Sequence, residues 1–366
     1  MRITFVLPEA TSAGGVRVVA IYAQKLKDRG HQVIAVSTPR REPTLRDRLR
    51  VLVKQHKWLK RKPRGVCHFD QVDVEHHIID RWRPIADADV PDADAVVATW
   101  WETVEWVWAL APSKGVKTQF IQDYEIWHGF VERVDATCRL PIPKITTAQW
   151  LVKLLADKFA FTDVTLAPNA VDLERFHAPP RGKQPVPTVG LTYTTFRNKG
   201  ADIAIEACNI ARREIPELKV VSFGSSRLNE ALPLPEGAQY FHHAPDDKLR
   251  DIYASCDAWL FGTRIEGFGL PILEAMACRT PVIGTPAGAA PELLADGAGI
   301  PVPPEDPAAM ARQIIAVAKM NDADWRALSD RAYQRASRYT WDDATDLFEA
   351  ALRGAVQRGT GATVAL

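Results

Sequence analysis

The chain has 366 residues, of which 46% are hydrophobic and 25% are charged, and its formal net charge is +1. These values are typical of a globular protein of about two domains and exclude a disordered or fibrous chain. Five cysteines without Cys-x-x-Cys spacing argue against a disulfide framework or a zinc site. We therefore expect a cytoplasmic protein with reduced thiols, without a secretory signal and without a membrane-spanning helix.

The first predicted elements are a strand, a glycine-containing loop, a helix and a second strand. Arg2–Leu7 is a short apolar run, Pro8–Gly15 contains turn formers, and Val16–Arg29 has apolar residues at helical spacing. Gln32–Ser37 follows as the next strand. This order of elements indicates a parallel sheet with helices on both faces.

A strongly basic segment, residues 40–64, comes next. It holds eleven Lys and Arg against two acids, a net charge of +9. Its apolar residues recur near helical spacing, at Leu45, Leu49, Leu52, Val53 and Leu59, with Trp58 beside them. A basic amphipathic helix with a tryptophan favours the surface of an anionic membrane. A solvated insertion that packs on its own domain stays open, as does an acidic glycan or nucleic acid, although no nucleic-acid motif accompanies the segment.

The β/α alternation continues through both halves of the chain. Further strands are predicted at Ala95–Thr99, Lys117–Ile121, Lys144–Thr146, Asp163–Leu166, Thr188–Leu191, Leu218–Gly224, Ala258–Phe261 and Pro281–Gly284, and helices at Gly200–Arg213, Asp246–Ser255 and Pro271–Ala277. The proline-rich residues 175–187 form the predicted linker between domains 1–174 and 188–338. The sequence thus predicts an α/β protein of two doubly wound, Rossmann-like domains that face each other across a cleft.

Residues 264–277 carry the clearest chemical pattern. Glu266 precedes a glycine loop, Pro271 stands where a helix would begin, and Glu274 follows eight residues after the first acid. The free N–H groups at this helix N-terminus belong to Phe268, Gly269 and Leu270, and they suit a diphosphate. Because Glu274 could accept two ribose hydroxyls, the two acids around this site indicate a nucleotide sugar.

With these motifs the chain resembles the retaining glycosyltransferases of the GT-B fold, specifically glycosyltransferase family 4, which is also called group 1. Glu266 and Glu274 fit the family's Glu-x7-Glu motif. Other matches are the Lys-Gly pair at Lys199-Gly200, the N-terminal loop at Gly14-Gly15-Val16, the hinge signature at Pro168-Asn169-Ala170-Val171-Asp172 and the segment 285–292. The resemblance extends over nearly the whole chain.

The resemblance implies that Glu266 contacts the transferred sugar, Glu274 the ribose and Lys199 the leaving diphosphate, with Glu266 and Lys199 as the catalytic residues. The whole donor-binding set that it implies is Gly14, Gly15, Arg197, Lys199, Gly224, Ser225, His243, Glu266, Gly267, Phe268, Gly269, Leu270 and Glu274. It also implies a C-terminal helix, 339–366, that returns to the N-terminal domain.

Two positions depart from the family pattern. Leu191 follows Gly190 where the family usually has arginine, and Arg197 is the nearest residue to supply that charge. Gln122 stands where many members have histidine, so that Gln122 or Asp123 is expected to take over its contact with the sugar or acceptor.

The tryptophans of the first domain are candidates for the acceptor side. Trp100 and Trp101 follow a predicted strand, and both core packing and a stacking platform for an acceptor sugar stay open. We hypothesise that at least one of them binds acceptor. Trp106 and Trp108, on the following helix, are expected in the core. Acid pairs at residues 87–94 resemble a metal motif, but their proline-bounded loop favours surface acids.

The expected activity is the transfer of a sugar, with retention, from a nucleoside-diphosphate sugar to a glycan or lipid-linked acceptor in polysaccharide biosynthesis. Front-face attack would let the protein work by positioning and by stabilising charge on the departing diphosphate, with no metal or other cofactor. We expect the enzyme at the cytoplasmic face of a membrane. A membrane-docked scaffold without catalysis and a nucleotide-sugar epimerase of the same fold stay open as alternatives.

Overall fold

The computed structural model describes residues 1–43, 49, 52–53, 65–126 and 129–363, and the chain divides into two compact units. The first unit comprises Met1–Thr147, Leu151–Ala167 and Thr345–Leu366, and the second comprises Ala148–Trp150 and Pro168–Ala344. The chain thus passes to the second unit at Pro168, which lies before the predicted linker.

The first unit contains a seven-stranded parallel sheet of order β3-β2-β1-β4-β5-β6-β7. Its strands are Arg2–Glu9, Gln32–Thr38, Glu75–Ile78, Ala95–Ala98, Val116–Ile121, Lys144–Thr146 and Val164–Leu166, numbered β1 to β7 in chain order. Helices α1 to α4 are Gly14–Asp28, Trp101–Ala109, Val131–Arg139 and Gln149–Phe159. Strand β1 pairs in parallel with β2 on one side and β4 on the other, which is the doubly wound arrangement that the sequence predicts.

The second unit contains a six-stranded parallel sheet of order β10-β9-β8-β11-β12-β13. Strands β8 to β13 are Thr188–Thr192, Lys219–Gly224, Gln239–His242, Ala258–Phe261, Val282–Gly284 and Ile300–Pro301. Helices α5 to α11 are Ala201–Arg212, Asp246–Ala254, Leu270–Ala277, Ala290–Leu293, Pro307–Lys319, Asp322–Ser337 and Trp341–Thr363. Two parallel sheets with helices confirm the predicted α/β class.

Helix α11 belongs to the first unit from Thr345 onward. The ring of Phe348, which is fully buried, stacks on Tyr22 at 4.4 Å between centroids and meets Phe5 and Phe120 at 6.1 and 5.1 Å. Burial of one such side chain stabilises a fold by about 1.5–3 kcal/mol. The last helix is therefore part of the core around β1 and β5.

Charged groups fasten α11 as well. Burial alone would raise the pKa of Glu349, but hydrogen bonds from Arg353, Arg29 and His31 outweigh it and lower the pKa to about 2. Arg353 donates to this carboxylate at 2.7 Å and Arg29 at 3.1 Å. Because the carboxyl is more acidic in the folded than in the unfolded chain, its contribution to stability is present above pH 4.5 and is lost as the pH falls toward 2.

Replacing Glu349 by glutamine is expected to lower the free energy of unfolding at pH 7 by about 2 kcal/mol, because Arg29 and Arg353 lose a shared anionic partner. Urea unfolding of both proteins at pH 7, 5 and 3.5 should show this difference shrinking with acidity. Asp163→Asn is the matched control, because its ion pair with Arg358 is largely exposed and contributes little. A difference that is constant with pH would assign the effect to packing.

The cysteines fit the expectation of reduced thiols. All five are buried and none forms a disulfide. Burial raises the pKa of Cys208, Cys256 and Cys278 to about 12, so these thiols stay protonated at neutral pH. They act as small apolar core residues.

Most of the basic segment, residues 40–64, lies outside the described residues, and so does most of its predicted helix. Of its apolar positions the structure describes Leu49, Leu52 and Val53, all of which are exposed. Among the described helices, none is long and apolar enough to cross a bilayer.

Candidate functional site

Two glycines bring the predicted lysine loop against the end of β11. Gly200, at φ +63°, precedes α5, and a Cβ on it would lie 1.8 Å from the carbonyl oxygen of Gly262. A Cβ on Gly262 would in turn lie 2.6 Å from the carbonyl oxygen of Gly200. The two backbones can approach this closely only because neither residue carries a side chain.

This approach places Lys199 beside Glu266. The Lys199 ammonium Nζ donates to Glu266 Oε2 at 2.8 Å, and the two side chains are 47% and 18% exposed. Arg197 lies on the same short helical turn, Arg197–Lys199, and is exposed. The structure thus brings two predicted catalytic residues, 67 positions apart, into one ion pair at the protein surface.

The glycine loop after Glu266 ends at α7. Gly269 adopts φ +100° as the N-cap, and among the described residues no side chain caps this helix. Pro271 is the second helical residue, one position later than predicted, where its missing N–H is still among those without a helical partner. Gly288 packs against the backbone of Glu266, since a Cβ on it would lie 2.7 Å from that carbonyl oxygen. The helix N-terminus therefore presents backbone N–H groups and a partial positive charge next to Lys199 and Glu266.

Glu274 lies on α7 and is 7% exposed. The hydroxyl of Tyr253, on α6, donates to Glu274 Oε2 at 2.9 Å. Tyr253 is itself fully buried among the rings of Phe223, Trp259 and Phe176. This contact orients the carboxylate that the sequence assigns to ribose, and nothing in the sequence near Tyr253 indicates it.

Three residues of the predicted donor-binding set lie at the ends of β9 and β10. A Cβ on Gly224 would lie 2.0 Å from the carbonyl oxygen of Tyr193, so only glycine fits there. His243, in the left-handed region at φ +51°, donates its backbone N–H to Gly224 at 2.9 Å. A ring nitrogen of His242 lies 3.2 Å from the carbonyl oxygen of Ser225. Gly224, Ser225 and His243 thus occupy one small region.

Trp150 adds a contact that the sequence does not reveal. Its indole N–H donates to the carbonyl oxygen of Gly267 at 2.8 Å, within the second unit. The same unit holds the hydrogen bond from the backbone N–H of Gln149 to Glu292, at 3.1 Å. These bonds brace the loop that carries Glu266.

In the first unit, Gly14 and Gly15 begin α1. The side-chain amide of Gln122 donates to the carbonyl oxygen of Gly15 at 3.1 Å. Gln122 therefore contacts the N-terminal glycine segment directly, and its contact with the sugar or acceptor stays a prediction.

The acceptor candidates Trp100, Trp101 and Asp123 line one small cavity with Gln119 and Glu125. Trp101 is buried, its backbone N–H donates to Glu125 at 3.0 Å, and burial raises the pKa of that carboxyl well above its ordinary value. Core packing is therefore the option that the structure shows for Trp101, while Trp100 is half-buried.

Two other sequence-based expectations can be compared with the structure. Trp106 is buried as expected, but Trp108 is 44% exposed, because its side of α2 faces solvent, with Lys117 5.5 Å from the ring. Three of the four acids at 87–94 pair with cations of their own unit, Asp89 with Arg83, Asp92 with Lys114 and Asp94 with Arg2. Asp87 instead accepts the backbone N–H of Ala111 at 2.8 Å.

Residues 181–336 match the family model described as "Glycosyl transferases group 1". Residues 181–336 are thus similar to the group 1 glycosyltransferases, and the chain has the GT-B glycosyltransferase fold.

Three similar proteins illustrate the match. The chain is 33% identical over 108 residues to an O-antigen chain mannosyltransferase B of Escherichia coli, covering 29% of this chain and 28% of that one. It is 29% identical over 217 residues to a D-inositol 3-phosphate glycosyltransferase 1 of Catenulispora acidiphila, covering 52% and 51%. The matched segments thus span between about a quarter and a half of these relatives. Anabaena Alr3699/HepE, solved with UDP and glucose, superposes with a TM-score of 0.71 at 16% identity, covering 97% of this chain and all of that one.

Proposed function

We propose that this protein is a retaining glycosyltransferase of family 4 that moves a sugar from a nucleoside-diphosphate sugar to a glycan or lipid-linked acceptor at the cytoplasmic face of a membrane. The observation that carries the proposal is the Lys199–Glu266 pair beside the uncapped N-terminus of α7, the helix that also holds Glu274. Cationic and N–H groups suit a leaving diphosphate, and the carboxylates suit hydroxyl groups. The names of the relatives support sugar transfer, and the complex of the Anabaena protein with UDP and glucose supports a nucleotide-sugar donor.

In the proposed reaction the acceptor hydroxyl attacks the anomeric carbon on the face from which the diphosphate departs. The C–O bond to the diphosphate breaks, the bond to the acceptor oxygen forms, and the leaving phosphate takes the acceptor's proton. Lys199 and the N–H groups of α7 stabilise the charge that develops on the departing oxygen, and Glu266 positions the sugar. Retention is tested by the anomeric proton coupling in the product's NMR spectrum.

Thermal unfolding with UDP, GDP, dTDP or NAD tests the donor site. A ligand present at one hundred times its dissociation constant adds about 2.7 kcal/mol of stability. We expect a shift with at least one nucleoside diphosphate and none with NAD. Glu274→Ala should abolish the shift, because the buried carboxylate that would bind the ribose is gone.

Glu206→Ala, at an exposed position on α5 of the same unit, is the control and should keep the shift. If no nucleoside diphosphate stabilises the wild type, the transferase proposal fails. Binding without turnover of any donor, under conditions where a related transferase is active, would support the scaffold instead.

The membrane part of the proposal rests on the +9 charge of residues 40–64 and on the exposure of Leu49, Leu52 and Val53. Each Lys or Arg near an anionic surface contributes about 1 kcal/mol. Replacing Lys60, Arg61 and Lys62 by glutamine should therefore weaken binding to phosphatidylglycerol vesicles by about two orders of magnitude. Co-sedimentation measures this, and equal binding to phosphatidylcholine vesicles would contradict the electrostatic attraction.

A further inference from the structure

Arg264 lies two residues before Glu266 and belongs to the loop that follows β11. Its backbone N–H and that of Ile265 both donate to the carbonyl oxygen of Asn198, at 2.8 and 3.2 Å. The loop that carries Glu266 is thus joined by hydrogen bonds to the turn that carries Lys199.

The side chain of Arg264 makes the stronger connection. Its guanidinium donates two hydrogen bonds, of 2.7 and 2.8 Å, to the carboxylate of Asp202. It binds the carboxylate of Glu305 in the same bidentate geometry. It also donates to the carbonyl oxygen of Arg197 at 2.6 Å. Arg264 is therefore bonded to the chain on both sides of Lys199, at Arg197 and Asn198 before it and at Asp202 after it.

The charges around Arg264 indicate its role. Two carboxylates surround one guanidinium whose side chain is only 15% exposed, so its hydrogen bonds are committed within the protein. Hydrogen bonds from Arg264 lower the pKa of Asp202 and that of Glu305, because the guanidinium stabilises the ionised form of each carboxyl. In contrast, Lys199 and Arg197 are exposed and are the cations on this turn that a ligand can reach.

We propose that Arg264 is a positioning residue of the donor site, whose guanidinium fixes the turn 197–202 so that the cations of Arg197 and Lys199 meet the leaving diphosphate. This inference rests on the proposed function. It assigns to Arg264 an effect on donor binding and on the chemical step, and none on the acceptor. A displacement of about 1 Å at a reacting group can cost about a hundredfold in rate, so a loosened turn should be measurable.

The test compares Arg264→Leu with Arg335→Leu. Arg335 is a matched control because it also bonds an acid and a loop carbonyl of the second unit, Asp296 at 2.6 Å and Ala295 at 3.3 Å, outside the proposed site. With the nucleoside diphosphate that stabilises the wild type, Arg264→Leu should raise the Kd about tenfold or more and lower kcat for transfer, with the acceptor KM unchanged. Arg335→Leu should leave all three at wild-type values.

A test in a second variant distinguishes a positioning role of Arg264 from a general loss of stability. In a protein that already carries Arg197→Ala and Lys199→Ala, Arg264→Leu should cause no further loss of diphosphate affinity, because the groups that it positions are absent. An equal loss in both backgrounds would overturn the inference. If Arg264→Leu does not fold, Arg264→Lys serves, since one ammonium cannot hold both acids and the carbonyl. Wild-type affinity in that variant would also overturn it.

Different results would refute the proposed function and the positioning role of Arg264. If the wild type binds no nucleoside diphosphate, the proposed function is wrong. If the wild type binds one and Lys199→Ala weakens that binding, but Arg264→Leu behaves like Arg335→Leu, the proposed function stands and the role of Arg264 is refuted.

Discussion

Lys199→Ala is expected to lower kcat/KM for sugar transfer by about 10²–10³-fold, the loss typical of removing one group that stabilises charge in a transition state. Lys199 is the cation in contact with Glu266, at 2.8 Å, beside the N-terminus of α7. Because the charge on the diphosphate grows as the glycosidic bond breaks, most of the loss should fall on kcat. Steady-state kinetics at saturating acceptor give this value.

Lys248→Ala is the control, because Lys248 is an exposed helical lysine of the same unit that makes no contact with Glu266. Its kinetic constants should equal those of the wild type. If Lys199→Ala raises the donor KM and leaves kcat unchanged, Lys199 contributes only ground-state binding, and the charge-stabilising role assigned to it is wrong.

Gly200→Ala should have the largest effect on stability, a loss of about 3–4 kcal/mol in the free energy of unfolding. Two costs add at this position. An alanine in the left-handed region, here φ +63°, costs about 1–2 kcal/mol. The methyl group would also lie 1.8 Å from the carbonyl oxygen of Gly262, so the backbone must shift, which adds a strain of about 1–3 kcal/mol.

Gly237→Ala measures the cost of the left-handed backbone conformation alone. Gly237 has a similar angle, φ +70°, but a Cβ there would meet no atom within 4 Å. Urea unfolding should therefore show a loss of about 1–2 kcal/mol for Gly237→Ala, roughly half that of Gly200→Ala. Equal losses would mean that the approach of the two glycines tolerates a methyl group.

Much of the fold follows from the sequence because buried parallel strands are short apolar runs. Every strand predicted from such a run is present. The three strands that were not predicted, β3, β10 and β13, all lie at a sheet edge. Edge strands need fewer apolar residues, and β3 reads Glu-His-His-Ile while β13 has only two residues.

Part of the candidate site can likewise be predicted from the sequence, and part cannot. Residues on the glycine loop, such as Glu266, stand in a local pattern that can be read from neighbouring letters. The residues that hold the site do not, because their partners are distant in sequence: Arg264 bonds Asp202 across 62 positions, and Tyr253 bonds Glu274 across 21. Such pairs emerge only when the sheet has brought the loops together. The exposure of Trp108 has a related cause, since helical spacing alone does not say which side of α2 meets the sheet.

The packing of Phe348 has a consequence for how the protein is made. A ribosome synthesises the chain from its N-terminus, so Phe5, Tyr22 and Phe120 leave the ribosome long before α11 does. Their rings pack against Phe348, which lies on α11. The unit whose synthesis begins first therefore completes its core only after the second unit has been synthesised, and until α11 follows, the apolar surface of the first unit needs protection from aggregation.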